Sequence, residues 1–450
     1  MASPVSPPRG MRDFLPADKA KRERVLGLIR ATYAAHGFDE IETPVVEDYA
    51  RLHAGLGGDN EKLAFNVLKR GLDAEALTAA AASGDADDLA DLGLRFDLTV
   101  PLARFYATHR SNLPQVFRSV QIAPVWRAER PQKGRYRQFV QCDIDIIGEA
   151  GILAETELLT ATLATLDALG LTGCRIRIND RRILFGMLDA FGFAPAEHSS
   201  VLITVDKLDK VGTAGVIGEL RGKGATDAAV DALEAYFAAS PPAAAADPTG
   251  TTAGDVAEGD VLPVESTPLT AEAVASALPA GVAPEAVTAL AEIGLALRAA
   301  DVAGELVFDP FLVRGMGYYT GTIFEIEHPD FSFSLGGGGR YDGMIGRFLG
   351  EDVPACGFSI GFERIIDLIE DPGSGDLESI VLVHDKAADP ARLLSLKTQL
   401  VSRGTRVRLE RRTKNLAPLL DRATSAGFAS FALVGRETTD ASTLDVKPLA

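Results

Sequence analysis

Apolar positions along the chain recur with two periods, and the switches between them divide it into segments. Over residues 19–37, Val25, Leu28, Ile29, Thr32 and Tyr33 fall near one face behind a polar start of Lys19, Lys21, Arg22, Glu23 and Arg24. That spacing predicts an amphipathic helix, stopped at Gly37. Phe38–Val46 reads as a strand interrupted by Pro44, which has no N–H for a ladder and so belongs at an edge or an interface. Residues 73–92 are Ala/Asp-rich and read as short exposed helix or loop. Strands are expected at Leu94–Leu98, Val116–Trp126, Phe139–Ile147 and Arg175–Ile178, with a helix at Ala154–Leu169. Residues 180–236 look helical, and helical patterning resumes at Leu269–Leu297. Between them, Ser240–Pro268 is rich in Pro, Gly, Thr, Asp and Ser without aliphatic period, a flexible linker or exposed insertion. Strands follow at Glu305–Phe308 and Tyr319–Ile326, then a glycine run and a helix at Phe362–Ile369. After the linker Asp371–Asp376, strands at Ile380–Val383, Val407–Leu409 and Ala429–Val434 alternate with helices at Ala391–Arg403 and Leu416–Ala426. This order predicts a small α/β domain with a largely parallel sheet.

Composition narrows the class. At 450 residues and 46% hydrophobic, the chain has the length for two to four domains and ample material for packed cores. Cys142, Cys174 and Cys356 are widely spaced, which excludes a disulfide framework or zinc ribbon and fits a reducing compartment. The six histidines show no metal-binding spacing. No apolar run of about 18 residues and no signal-peptide core is visible, so a soluble, cytoplasmic protein without a membrane partner is expected. The net charge of −18 argues against coating duplex DNA. Residues 380–450 nevertheless carry 12 Lys/Arg against 7 Asp/Glu, with Arg403, Arg406, Arg408, Arg411, Arg412 and Lys414 clustered. Charge alone favours a solvated face.

Three segments carry candidate chemistry. Val125–Phe139 places Arg127, Glu129, Arg130, Lys133, Arg135 and Arg137 in a polar loop between two strands. Guanidinium forks at that density suit a triphosphate, although an ordinary charged hairpin has the same composition. Leu312–Glu325 and the following Leu335–Gly343 are glycine-rich, which permits close approach of backbone to ligand or simply a turn in a sheet. They match neither a Walker A loop nor a dinucleotide fingerprint. Asp97 and Thr99 alternate with apolar neighbours, as do Gln141, Asp143 and Asp145 on another strand. A floor of Asp, Thr, Gln and Asp suits a small cationic ligand such as an amino acid; a solvated sheet face is the alternative.

Arg127–Gly148 resembles the motif 2 region of class II aminoacyl-tRNA synthetases, Thr43–Glu47 their motif 1, and Phe358–Arg364 their motif 3. Pro8–Phe14, Arg95–Thr99, Asn179–Ile183 and Arg314–Gly321 resemble the histidyl-tRNA synthetase family in particular, and the likeness runs over nearly the whole chain. It implies an α+β fold: a class II synthetase-like antiparallel catalytic sheet with flanking helices, a helical insertion, and a C-terminal α/β anticodon-binding-like domain. The implied partition is a catalytic domain over 1–178 and 304–372, a mostly helical insertion over 179–303, and the C-terminal domain over 377–450. The implied activity joins L-histidine to ATP, with Mg2+ carried mainly by the nucleotide, and then to tRNA(His). Arg127 and Arg364 match the arginines on ATP phosphates, with Glu129 and Arg135 in the same loop. Arg314 matches the arginine at the α-phosphate, where preorganised positive charge lowers the barrier. Asp97, Thr99 and Gln141 match contacts to the α-amino group, and Asp145 and Tyr319, with Tyr318 beside them, those to the imidazole. Arg411 and Arg412 are candidates for tRNA phosphates. A homodimer through the first helix and the strand around Pro44 is also implied. Met316 and Gly317 depart from the family's usual Leu and Asp. The rival expectation is a non-catalytic histidine-binding paralogue, such as the regulatory subunit of ATP phosphoribosyltransferase, which lacks the C-terminal domain.

Overall fold

The computed structural model describes residues 5–53, 63–84, 86–131, 134–239, 269–302, 304–314, 318–329, 331, 333–369 and 378–449. The expected linkers at 240–268 and 371–376, together with Lys133, Met316 and Gly317, lie outside the described residues. The strands in chain order are β1 (Asp39–Glu40), β2 (Val46–Asp48), β3 (Phe65–Leu68), β4 (Ala90–Leu94), β5 (Phe117–Trp126), β6 (Gln138–Ile147), β7 (Arg175–Asp180) and β8 (Glu305–Phe308). They continue as β9 (Thr322–Glu327), β10 (Gly336–Arg340), β11 (Ala355–Gly361), β12 (Ser379–His384), β13 (Arg406–Arg411), β14 (Ser430–Leu433) and β15 (Val446–Pro448).

Two compact units form. The first comprises Met1–Arg12 and Leu28–Leu368, the second Asp13–Gly27 and Ile369–Ala450. The first is built on an eight-stranded sheet in the order β1-β5-β6-β11-β10-β9-β7-β8. Its inner pairs are antiparallel; only the outer pairs β1/β5 and β7/β8 run parallel. The helix Leu153–Ala168 packs against β6 and β11 and buries Leu158, Leu159, Ala161 and Leu166. Buried Glu155 on this helix takes a bidentate pair from Arg340 of β10, at 2.7 and 2.6 Å, so neither charge is left uncompensated. A smaller antiparallel sheet, β2-β4-β3, belongs to the same unit. Residues 181–299 contribute six described helices: Arg181–Phe191, His198–Val205, Leu208–Gly222, Asp227–Ala239, Ala271–Ser276 and Pro284–Ala299.

In the second unit the order is β13-β12-β14-β15, parallel except for β14/β15. Central strand β12 buries Ile380 and Leu382 into one cluster with Leu393 and Leu396. Val381 and Val383 enter another with Leu419, Ala423 and Phe428. Burial on both faces explains why β12 reads as a continuous apolar run.

Several local expectations are corrected. The strand expected at Leu94–Leu98 ends at Leu94, and Thr99 opens the helix Thr99–His109. Pro101 sits in the first turn, where a missing N–H costs no helical bond, and Asp97 Oδ1 accepts from Val100 N–H at 3.2 Å. Asp97 and Thr99 are therefore not neighbours on a strand face. Phe38–Val46 splits into β1 and β2, in different sheets, with donor-less Pro44 between them. The strand expected from Tyr319 starts at Thr322, and Leu269–Leu297 is two helices separated before Pro284. The glycine run is no turn but β10, in the interior of the large sheet.

Candidate active site

The register of the large sheet ranks side chains across one face. Gln121 pairs Asp143, Asp143 pairs Ser359, Ser359 pairs Gly337, Gly337 pairs Glu325 and Glu325 pairs Arg177. Residues opposite one another project to the same side, so this row and the next, containing Asp145, Gly357 and Gly339, form a floor. Glycine at two of these positions makes room. A Cβ on Gly357 would overlap Asp145 Oδ1, and one on Gly337 would lie 2.8 Å from Arg314 Cζ. The backbone thus clears space for its own functional side chains. Above the floor lies a cavity of about 1000 Å³.

One end is acidic and aromatic. Asp97, Asp143 and Asp145 are all buried. Burial pushes the Asp97 carboxyl up to about 6 and that of Asp145 up to about 7, the latter against the pull of a hydrogen bond that Tyr341 Oη donates to Asp145 Oδ1 at 2.6 Å. Burial and the neighbouring Asp145 push Asp143 up as well. Tyr318 and Tyr319 stand beside them, ring centroids 4.9 Å apart, with Tyr341 edge-on to Tyr318. Asp97 Oδ2 and Gln141 Oε1 are buried acceptors with no hydrogen-bond partner among the described residues. This end can hold a cationic amine and a ring with polar edges.

The other end is cationic. Arg127 and Arg135 come from the β5–β6 hairpin, Arg364 from the turn after β11 and Arg314 from the segment before β9. Arg127 Nε donates to Phe96 O at 2.9 Å, and its guanidinium lies 5.0 Å from the Phe139 ring centroid. Arg135 faces Glu129 at 3.4 Å. Arg364 donates to Ser334 O; burial, then Arg135, Arg314 and Arg127, push its pKa down to about 10. Mutual repulsion of that kind marks an excess of positive charge that a polyanion relieves. Arg314 is held by Glu325, Nη1 to Oε2 at 2.7 Å, and its buried Nε has no partner among the described residues. The backbone before Arg314 is tied to β7: Asn179 Nδ2 donates to Pro310 O at 3.1 Å and to Leu312 O at 3.3 Å. Asp309 N–H donates to Ile178 O, and Asp309 Oδ2 accepts from Arg177 Nε at 2.6 Å.

Asp97, Thr99, Arg127, Glu129, Arg135, Gln141, Asp145, Arg314, Tyr318, Tyr319 and Arg364 all line this one cavity. Arg411 and Arg412 do not; they lie exposed at the end of β13 in the second unit. Sequence reasoning missed Tyr341, Glu325 and Ser359 and placed Asp143 on the floor without a role; Glu325, Ser359 and Asp143 each share a motif or strand with a chosen residue, while Tyr341 follows the glycine run. Asp206 and Lys210, from the helical segment, also line the wall; no local pattern announces them.

Comparison with known proteins gives consistent results. The histidyl-tRNA synthetase family model matches residues 10–248 and 260–365. The histidine–tRNA ligase of Leifsonia xyli subsp. xyli is 62% identical over 449 residues, spanning 100% of this chain and 99% of that protein. That of Bacteroides fragilis is 36% identical over 375 residues, 82% of this chain and 77% of that protein. Among solved structures, histidyl-tRNA synthetase from Nostoc sp. PCC 7120 matches with a TM-score of 0.73 at 25% identity, covering 100% of this chain and 95% of that one. A Bacillus halodurans structure described as an ATP phosphoribosyltransferase regulatory subunit/histidyl-tRNA synthetase shares the fold, with a TM-score of 0.70 at 18% identity over 94% of this chain and 97% of that one.

Proposed function

The chain belongs to the histidyl-tRNA synthetase family, and from that premise we propose that the cavity activates L-histidine with ATP and passes the aminoacyl group to the 3′-terminal adenosine of tRNA(His). The observation that carries this reading is the meeting of a carboxylate-and-tyrosine floor with Arg127, Arg135, Arg314 and Arg364 in one cavity. The α-amino group of histidine is taken by Asp97, Thr99 and Gln141. Its imidazole lies between Asp145 and Tyr319, with Tyr318 alongside; a carboxylate and a phenol satisfy both ring nitrogens, which an apolar competitor would leave unpaired. Arg127 and Arg364 hold ATP phosphates, with Arg135 and Glu129 on the same wall. Mg2+ would come with the nucleotide, and Glu129, a carboxylate on the arginine-bearing wall, would offer it a hard oxygen ligand.

The histidine carboxylate attacks the α-phosphate, pyrophosphate leaves, and the acyl group of the adenylate then moves to the tRNA hydroxyl with release of AMP. Arg314 sits where negative charge grows in the first step. Held by Glu325 and by the β7 anchor, it needs no reorganisation as the charge develops. The catalytic domain takes in 1–178 and 304–372 with the insertion at 179–303, although Asp13–Gly27 group with the second compact unit; the domain at 377–450 grips tRNA through Arg411 and Arg412. The chain works in the cytoplasm as a homodimer. The regulatory-subunit reading shares only the fold; the arginine-lined wall and the basic C-terminal segment favour the ligase. Histidine-dependent exchange of pyrophosphate into ATP tests this: exchange is expected, and its absence overturns the proposal.

A further inference from the structure

Asp143 has no part in the reading above, yet it is buried, lines the cavity and stands between Gln141 and Asp145 on β6. Both of its oxygens face Gln141, whose Nε2 lies 3.4 Å from Oδ1 and 3.2 Å from Oδ2. The same Nε2 is 3.2 Å from Ser359 Oγ. The two ends of an amide have nearly the same shape, so its partners decide which end faces a ligand. Ser359 cannot decide, because a hydroxyl both donates and accepts. An ionised carboxylate only accepts, and therefore admits only the NH2 end. The consequence is visible at the opposite atom: Gln141 Oε1 is buried and has no partner among the described residues. Asp97 Oδ2 is in the same condition, while Asp97 Oδ1 is occupied by Val100 N–H. Two buried acceptors without donors beside one cavity are costly unless a donor arrives with the ligand.

We infer that Asp143 is a positioning residue that sets specificity: it locks the Gln141 amide with its oxygen toward the cavity, so that Gln141 and Asp97 together select a ligand carrying a protonated primary amine. This rests on the proposal that these two residues receive the α-amino group of histidine. With the amide reversed, an NH2 would meet the ammonium, and a donor–donor clash would replace a charge-assisted hydrogen bond. Burial first, then Asp145 and Asp97, hold the Asp143 pKa well above the usual carboxylate range against the pull of Ser359 and Arg127, so the lock closes only as the carboxyl ionises. A cationic ligand beside it adds to that pull, so amine binding and the amide lock reinforce each other.

The test uses the full chain in the pyrophosphate-exchange assay, with histidine as substrate and 3-(imidazol-4-yl)propanoate, which lacks the amine, as competitive inhibitor. No exchange by the unaltered chain would sink the underlying functional reading. If exchange occurs, Asp143→Asn is expected to raise the KM for histidine about tenfold or more, the scale of one hydrogen bond to a charged group. The KM for ATP and the inhibition constant of the amine-free analogue should stay within about twofold, because neither uses the amide oxygen. The double variant Gln141→Glu/Asp143→Asn keeps one carboxylate and one amide, and its carboxylate has no wrong end, so it should recover preference for histidine over the analogue. It supplies the same comparison if the single variant does not fold. An unchanged histidine KM in Asp143→Asn, equal losses for histidine and analogue, or a double variant without amine preference would each overturn the inference.

Discussion

Arg314 shows how a single residue depends on its neighbours. Its side chain is half-buried in the cavity wall, paired on one side with Glu325 and carried by a backbone segment that Asn179 ties to β7. Arg314→Ala should leave the fold intact and cut formation of histidyl-adenylate by ~10²-fold or more, the cost of one transition-state donor; single-turnover activation measures it. Asp145 makes a pH prediction. Its carboxyl titrates at about 7 because it is buried, and the Tyr341 hydrogen bond holds it from going higher. The ionised carboxylate accepts from an imidazole N–H more strongly than the neutral acid does, so kcat/KM for histidine should rise with pH through about 7. Tyr341→Phe removes the donor that favours the charged form and should move that inflection to higher pH; titration of free histidine is common to both proteins and cancels. The stability sign runs the other way. A carboxyl whose pKa is raised on folding stabilises the ligand-free chain at low pH, and that contribution is lost as pH rises through about 7.

At the scale of elements, the sheet works because two of its central strands give up side chains. β10 is Gly336–Arg340, and β11 places Gly357 opposite Asp145 and Gly339. Gly357→Ala would drive a methyl group into the Asp145 carboxylate. It should raise the KM for histidine about tenfold or more while leaving that for ATP within about twofold, since the arginine wall lies elsewhere; overpacking of this kind costs about 1–3 kcal/mol. Gly343→Ala is the control. It sits in the helix Asp342–Leu349 with its nearest neighbour, Thr320 Cγ2, at an ordinary 4.0 Å, so activity should be unchanged and stability equal or slightly higher. Elements with a clean period were legible without coordinates: β5, β6 and β7 lie within two residues of where alternation puts them. The failures share a cause. At Asp97–Thr99 the alternation of polar and apolar residues belongs to a helix cap, and at Gly336–Gly339 there is no side-chain pattern to read.

For the whole molecule, charge is the organising quantity. A chain of net −18 meets a polyanion only where positive charge is concentrated, and β13 is an edge strand carrying Arg406, Arg408 and Arg411. Arg406 and Arg408 lie 4.2 and 4.6 Å from the Phe428 ring centroid, whereas Arg411 and Arg412 are exposed at the strand's end. Arg411→Glu with Arg412→Glu should weaken tRNA binding and flatten its dependence on salt, because fewer phosphate contacts release fewer counterions. Amino-acid activation should survive. Unchanged affinity across a salt series would reduce the cluster to solvated surface. Sedimentation at micromolar concentration should show a dimer, and a monomer would count against that assembly.

What the sequence by itself determined is the chemistry and the class of fold. The arginines of the Val125–Phe139 hairpin, the tyrosine pair after Arg314 and the alternating acids of β6 are short-range patterns, and short-range patterns encode backbone conformation and the face a side chain takes. The tertiary structure alone decided who meets whom. Tyr341 reaches Asp145 across 196 residues of sequence, Gly357 vacates space for a carboxylate on the neighbouring strand, and Asp206 and Lys210 enter the wall from a helical segment with no motif of its own. Gln141 Nε2 likewise comes within 3.2 Å of Ser359 Oγ only because β6 and β11 pair in this register. Register and packing fix such contacts, and neither is written in any local window of the chain.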